Sequence, residues 1–192
     1  MRFVVLLGVA ALVATLGPPV GGLGPNVRVV YLHGAWVWSA LIGFAAAAGC
    51  GLLGWIDPHR PWLAWSAGLG RAATFFWVAY LPLSLWAMQA NWNGLYLAEP
   101  RWRVGLHFAV AGLLLQAAAW LIGRPKLTGL VNLLYFPALV LALANAQQVL
   151  HPPSPVFSSD SVAVQSFFLV LTGICMLAGW QLARAAWAAE HS

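Results

Sequence analysis

About six runs of roughly 20 apolar residues take up nearly all of this 192-residue chain. Each run is long enough to cross a hydrocarbon core of about 30 Å as a helix rising about 1.5 Å per residue. Only 7% of the residues are charged and 62% are hydrophobic, whereas a soluble domain carries roughly 25% charge. The expected fold is therefore an all-α, polytopic transmembrane helical bundle of about six spans, with residues 1–192 forming a single transmembrane domain. No room is left for a soluble catalytic domain.

Helix-breaking sequence marks the ends of the spans, which are expected at about 2–16, 27–55, 63–88, 104–122, 127–149 and 161–186. "GPPVGGLGP" follows the first, and "DPHRP" stops the second with two prolines. The first run resembles a secretory signal peptide but lacks a small-x-small cleavage site in a polar setting, and is read as a retained span. Arg71 and Pro82 fall inside the third. An isolated charge two turns into a span costs a few kcal/mol, on the order of 3, unless it snorkels or is paired, and Arg71 is expected to snorkel.

The net charge of +5 is no sign of a nucleic-acid partner here, because the Lys and Arg residues lie in short connections, where they orient helices in a lipid bilayer. Arg2, Arg60, Arg124, Lys126 and Arg184 fall on one side, against Arg28, Arg101 and Arg103 on the other. The first side is expected to be cytoplasmic, with both termini inside, as for a protein of the bacterial inner (cytoplasmic) membrane. Most of the twelve tryptophans, Trp36 and Trp38 among them, are expected in interfacial belts, where indole is amphipathic enough to sit. Cys50 and Cys175 lack any metal-binding spacing and read as small packed hydrophobes.

Two histidines stand apart. His33 in "RVVYLHGAWVW" and His151 in "VLHPPSPVF" lie at the predicted outer ends of different helices, with "NWNGLYLAEPR" on the same surface. Histidine near a membrane helix end binds, titrates or pairs, and two imidazoles on one surface suit the two axial positions of haem iron. The bland alternative is a histidine that hydrogen-bonds a carbonyl or water and binds nothing. Tyr31, Trp36, Trp92, Tyr96 and Trp102 are candidate walls for a porphyrin. Arg28, Arg101 and Arg103, which weaken the positive-inside count, would face its anionic propionates. His107 on the same side is expected to be packed, and His59 and His191 solvated. Hydrolase, zincin and phosphate-loop motifs are absent.

These segments resemble the six-span, haem-presenting membrane proteins of cytochrome c biogenesis, the CcmC family, over about residues 25–170. In that family a tryptophan-rich segment reads approximately W-G-x-W-W-x-W-D followed by P-R or A-R. Here "WNGLYLAEPR" keeps Trp92, has Glu99 for the acid, and holds Pro100 and Arg101 in step; Tyr96 keeps an aromatic, while Leu95 and Ala98 replace tryptophans. The resemblance implies a haem, b-type and transient, ligated by His33 and His151. It also implies partners such as a haem chaperone or other membrane subunits of an assembly complex, and a non-enzymatic role in haem delivery at the outer face. Trp92, Tyr96, Glu99, Arg101, Arg28 and Arg103 complete the expected cofactor-binding set. Two other roles stay open: a b-type cytochrome subunit that keeps its haem for electron transfer, and a cofactor-free structural subunit of a larger membrane complex.

Overall fold

The computed structural model describes residues 1–20, 23–147, 156–157 and 159–189. His151 and His191 lie outside the described residues. Six helices account for most of the rest, in the order α1 (Arg2–Ala14), α2 (Val27–Ile56), α3 (Trp62–Trp92), α4 (Pro100–Ile122), α5 (Pro125–Ala144) and α6 (Val162–Ala189). There is no β-strand among the described residues, so the all-helical expectation holds. Four helices, α2, α4, α5 and α6, are long and apolar enough to cross a membrane. The longest, α3, is richer in polar and aromatic groups, carrying Arg71 and five tryptophans.

The first helix departs from expectation. At 13 residues it is about 20 Å long, short of a full crossing. Gly17, Pro18 and Pro19 stop it, because proline cannot continue a helical hydrogen-bond ladder. Phe3 in its first turn meets Phe75 at mid-length of α3, with ring centroids 5.4 Å apart. Near its other end, the Tyr31 hydroxyl donates to the Pro18 carbonyl at 3.0 Å. So α1 accompanies only one half of the bundle, the half in which α2 begins.

Helices α2 and α3 form an antiparallel hairpin tied at both ends. The Asn26 amide donates to the Ala90 carbonyl at 2.7 Å, and the Ser66 hydroxyl donates to the Ala47 carbonyl at 2.7 Å. One end of the bundle therefore holds the α2–α3 connection, and the opposite end holds the start of α2 and the α3–α4 connection. At the α3–α4 end Asn93 ends α3 in a left-handed conformation, φ 52°, which asparagine tolerates better than most residues. Glu99 then caps α4, with Pro100 in its first turn, where a missing N–H costs nothing. For this reason α4 begins earlier than the apolar pattern implied, and α3 runs on through Trp92. Arg101 and Arg103 sit in the first turn of a helix and not in a loop.

The interior mixes large aromatics with small residues. Tyr31, Phe44, Phe76, Trp77, Leu139, Phe168 and Leu171 are almost wholly buried, while the outward faces carry exposed leucines such as Leu114, Leu121, Leu134, Leu141 and Leu177. Apolar side chains facing outward are what lipid requires, and association then rests on close packing. Helices α2 and α5 approach closely: a Cβ on Gly51 would stand 2.6 Å from the Gly129 carbonyl oxygen. Only two facing glycines allow it. At the α2–α3 end, Trp65 of α3 stacks on Trp180 and Trp187 of α6 at 4.7 and 5.8 Å, nearly parallel.

Candidate functional site

Towards the α3–α4 end, His33 projects from the second turn of α2 and is half-buried. Its ring lies 5.8 Å from that of Tyr80, tilted by 49°. Tyr80 packs on Trp77 at 4.8 Å, and the Trp77 indole N–H donates to the Gly105 carbonyl at 3.1 Å. The imidazole is thereby placed at a three-helix contact of α2, α3 and α4. Trp36, one turn further along α2, is only 8% exposed and packs on Phe76 at 4.8 Å. It belongs to the core and not to the interfacial belt expected of it, because the i, i+3 spacing from His33 carries it to the same inward face.

Glu99 is the acidic member of the expected set, and its environment is specific. It is 3% exposed, and its Oε2 accepts from the Trp102 backbone N–H at 2.6 Å. That is the N-cap bond which satisfies one of the open amides at a helix start. The carboxylate also lies within electrostatic reach of Tyr80, which links it to the cluster around His33. Three buried polar atoms here have no protein partner: Trp36 Nε1, Glu99 Oε1 and Trp102 Nε1. Buried polar atoms left this way are uncommon and costly.

The surface above the cluster is basic and aromatic. Trp92 and Tyr96 meet edge to face at 5.7 Å, with the Tyr96 hydroxyl donating to the Trp92 carbonyl at 3.4 Å. Arg28 is exposed in the first turn of α2, and Arg101 and Arg103 are half-buried and exposed in the first turn of α4. Three cations thus stand at the positive ends of two helix dipoles, an arrangement that disfavours cations and favours an anion. Among the described residues, no three His, Cys, Asp or Glu side chains gather into a metal site.

One expectation away from this set changes. His107 is exposed on α4, so it is not held by packing. Cys175 is fully buried and Cys50 half-buried, both as free thiols. The sequence reading also missed a second polar cluster, nearer the α2–α3 end. Asn132 of α5, 1% exposed, donates to the Ser66 carbonyl at 2.9 Å and to its hydroxyl at 3.0 Å. Its Oδ1 accepts from Gln116 Nε2 of α4 at 2.6 Å. Isolated polar residues in separate apolar runs gave the only hint of it.

Comparison with protein-family models, with curated proteins and with solved structures yields no match.

Proposed function

We propose that this chain is a haem-handling protein of the bacterial cytoplasmic membrane that binds haem at its α3–α4 end and hands it on during cytochrome c maturation. In this reading α2–α6 are the crossing helices, α1 lines half of the bundle, and the α2–α3 connection faces the cytoplasm. The observation that carries the proposal is the half-buried His33 imidazole beside Tyr80, beneath a rim of Arg28, Arg101 and Arg103. A haem fits the chemistry of this region. The unpartnered indole N–H groups of Trp36 and Trp102 are donors, and the cationic rim suits anionic propionates.

Bound haem would supply an iron atom that accepts imidazole nitrogen. His33 would hold it, and the family resemblance pairs His151 with His33 in that role. Trp92 and Tyr96 would shelter the porphyrin. Glu99 acts through α4: by capping that helix it sets the position of Arg101 and Arg103, so it is a positioning residue. Replacement of two motif tryptophans by Leu95 and Ala98 leaves fewer flat surfaces for a docking partner, so handover to a chaperone would rest on fewer aromatic contacts than in the family.

The test is a pyridine-haemochrome spectrum of protein expressed with ample haem, for the wild type, His33→Ala and His151→Ala. Both variants are expected to lose the bound haem while remaining folded. Haem retained in full by His33→Ala overturns the assignment. A wild-type haem that cycles reversibly and never leaves for an apo-acceptor overturns delivery in favour of electron transfer.

A further inference from the structure

Between α3 and α4 the bundle opens sideways into a groove of about 530 Å³, within the range of about 300–1,000 Å³ typical of ligand sites. Phe75, Leu113 and Trp120 form apolar walls and are 40%, 55% and 62% exposed, so the groove faces the lipid. Its floor carries three polar residues, Arg71, Thr74 and Gln116, in an otherwise apolar lining. Arg71 lies in the third turn of α3 and Gln116 in the second-last turn of α4, both towards the α2–α3 end and its headgroup layer.

The hydrogen-bonding state of that floor selects an occupant. Gln116 is 8% exposed, and its Nε2 is committed to Asn132 at 2.6 Å. That bond turns Oε1 into a buried acceptor with no protein partner. The Thr74 hydroxyl spends its proton on the Gly70 carbonyl at 2.8 Å, which leaves its oxygen an acceptor too. The groove therefore presents one cation and two acceptors beneath apolar walls. A complementary molecule carries an anion, a hydroxyl donor a few bonds away, and a hydrocarbon tail.

We infer that this groove seats one anionic glycerophospholipid with a hydroxyl-bearing head, of the phosphatidylglycerol kind. Its phosphate faces Arg71, a head hydroxyl donates to Gln116 Oε1, and an acyl chain runs inward past Phe75 and Leu113, while Trp120, nearer the α2–α3 end, stands beside the head. A phosphocholine head has no donor for Gln116, and its net charge is zero. The site is separate from the cluster around His33 and does not depend on haem binding.

The experiment is native mass spectrometry of the purified full chain in detergent, titrated with phosphatidylglycerol, phosphatidylcholine, glycerol 3-phosphate or an isoprenoid quinol. Phosphatidylglycerol is expected to bind at least about tenfold more tightly than phosphatidylcholine, the scale of one charge-assisted hydrogen bond. Arg71→Gln is expected to lose about that factor. Gln116→Leu also disturbs Asn132, so Ala117→Trp serves as the second variant: it fills the groove from an exposed position on α4 and is expected to abolish binding. Equal affinity for the two phospholipids overturns the inference, as does unchanged affinity in either Arg71→Gln or Ala117→Trp. Glycerol 3-phosphate or the quinol binding as tightly as phosphatidylglycerol overturns it as well.

Discussion

Around Asn132, four helices meet through hydrogen bonds that close on one another: Ala47 of α2, Ser66 of α3, Gln116 of α4 and Asn132 of α5. Around His33, three helices meet through aromatic rings, and Trp36 Nε1, Glu99 Oε1 and Trp102 Nε1 have no partner. Both regions put polar groups inside an apolar bundle, at comparable desolvation cost. The first recovers that cost within the protein, apart from the one unpartnered Gln116 oxygen. The second leaves hydrogen-bonding capacity unspent. If the His33 end binds haem as proposed, the protein separates stability from ligand chemistry along its own length.

Substitutions can break that division in either direction. The largest expected effect is on ligand content: His33→Ala lowers haem per folded chain at least tenfold, about 1.4 kcal/mol or more in binding. Its thermal melt in detergent stays within about 1 kcal/mol of wild type, since only a half-buried ring is lost. A melt that collapses along with the haem would assign His33 to packing.

Asn132→Leu is the reciprocal case. It removes three hydrogen bonds worth about 0.6–1.7 kcal/mol each in a membrane interior. Because Leu cannot reproduce the fit against Gly70, whose Cβ position lies 2.6 Å from Asn132 Oδ1, the total expected loss is about 3 kcal/mol. Denaturant or thermal unfolding measures it, and haem per surviving folded chain should not change. A loss of haem at full stability would place the Asn132 cluster in the ligand chemistry and erase the contrast.

Smaller changes sharpen the picture at the α3–α4 end. Glu99→Ala forfeits the cap on α4 and costs about 1 kcal/mol, whereas Glu99→Asp retains most of it; equal melts for the two would show that the carboxylate does not act as a cap. Trp36→Phe is expected to cost about 1 kcal/mol, from the cavity left by the smaller ring, with little added by the removed N–H, which has no protein partner to lose. If that N–H serves a propionate, haem content falls nonetheless, and the ratio of the two readouts distinguishes packing from recognition.

Helix positions were legible in the chain because length and apolarity are local properties, and proline and glycine punctuate them locally too. α2 begins and α4 ends where the pattern places them. Legibility failed where a boundary depends on a single side-chain bond. Glu99 accepting from Trp102 extends α4 back over Arg101, and no hydropathy pattern reports that bond. It failed again where several helices meet: Asn132, Gln116 and Ser66 are ordinary polar residues in three separate runs, and only the packing angles bring them together. Trp36 shows the same limit on a smaller scale, since its position near a helix end suggests an interface while its helical face decides for the core. The candidate site was visible as residue types at one end of the bundle, but not as the Tyr80 and Trp77 contacts that hold His33.

The facing glycines of α2 and α5 carry a mechanical consequence. Gly51 and Gly129 bring two backbones into contact near the α2–α3 end, while His33 rides the same α2 about 27 Å away at 1.5 Å per residue. That separation is a lever arm. A rocking of α2, with the α3 helix tied to it, by about 5° around the glycine contact swings the imidazole by roughly 2 Å, comparable to the length of a bond between a metal and an imidazole nitrogen. If His33 holds a ligand as proposed, a tilt too small to disturb the fulcrum is enough to make or release it.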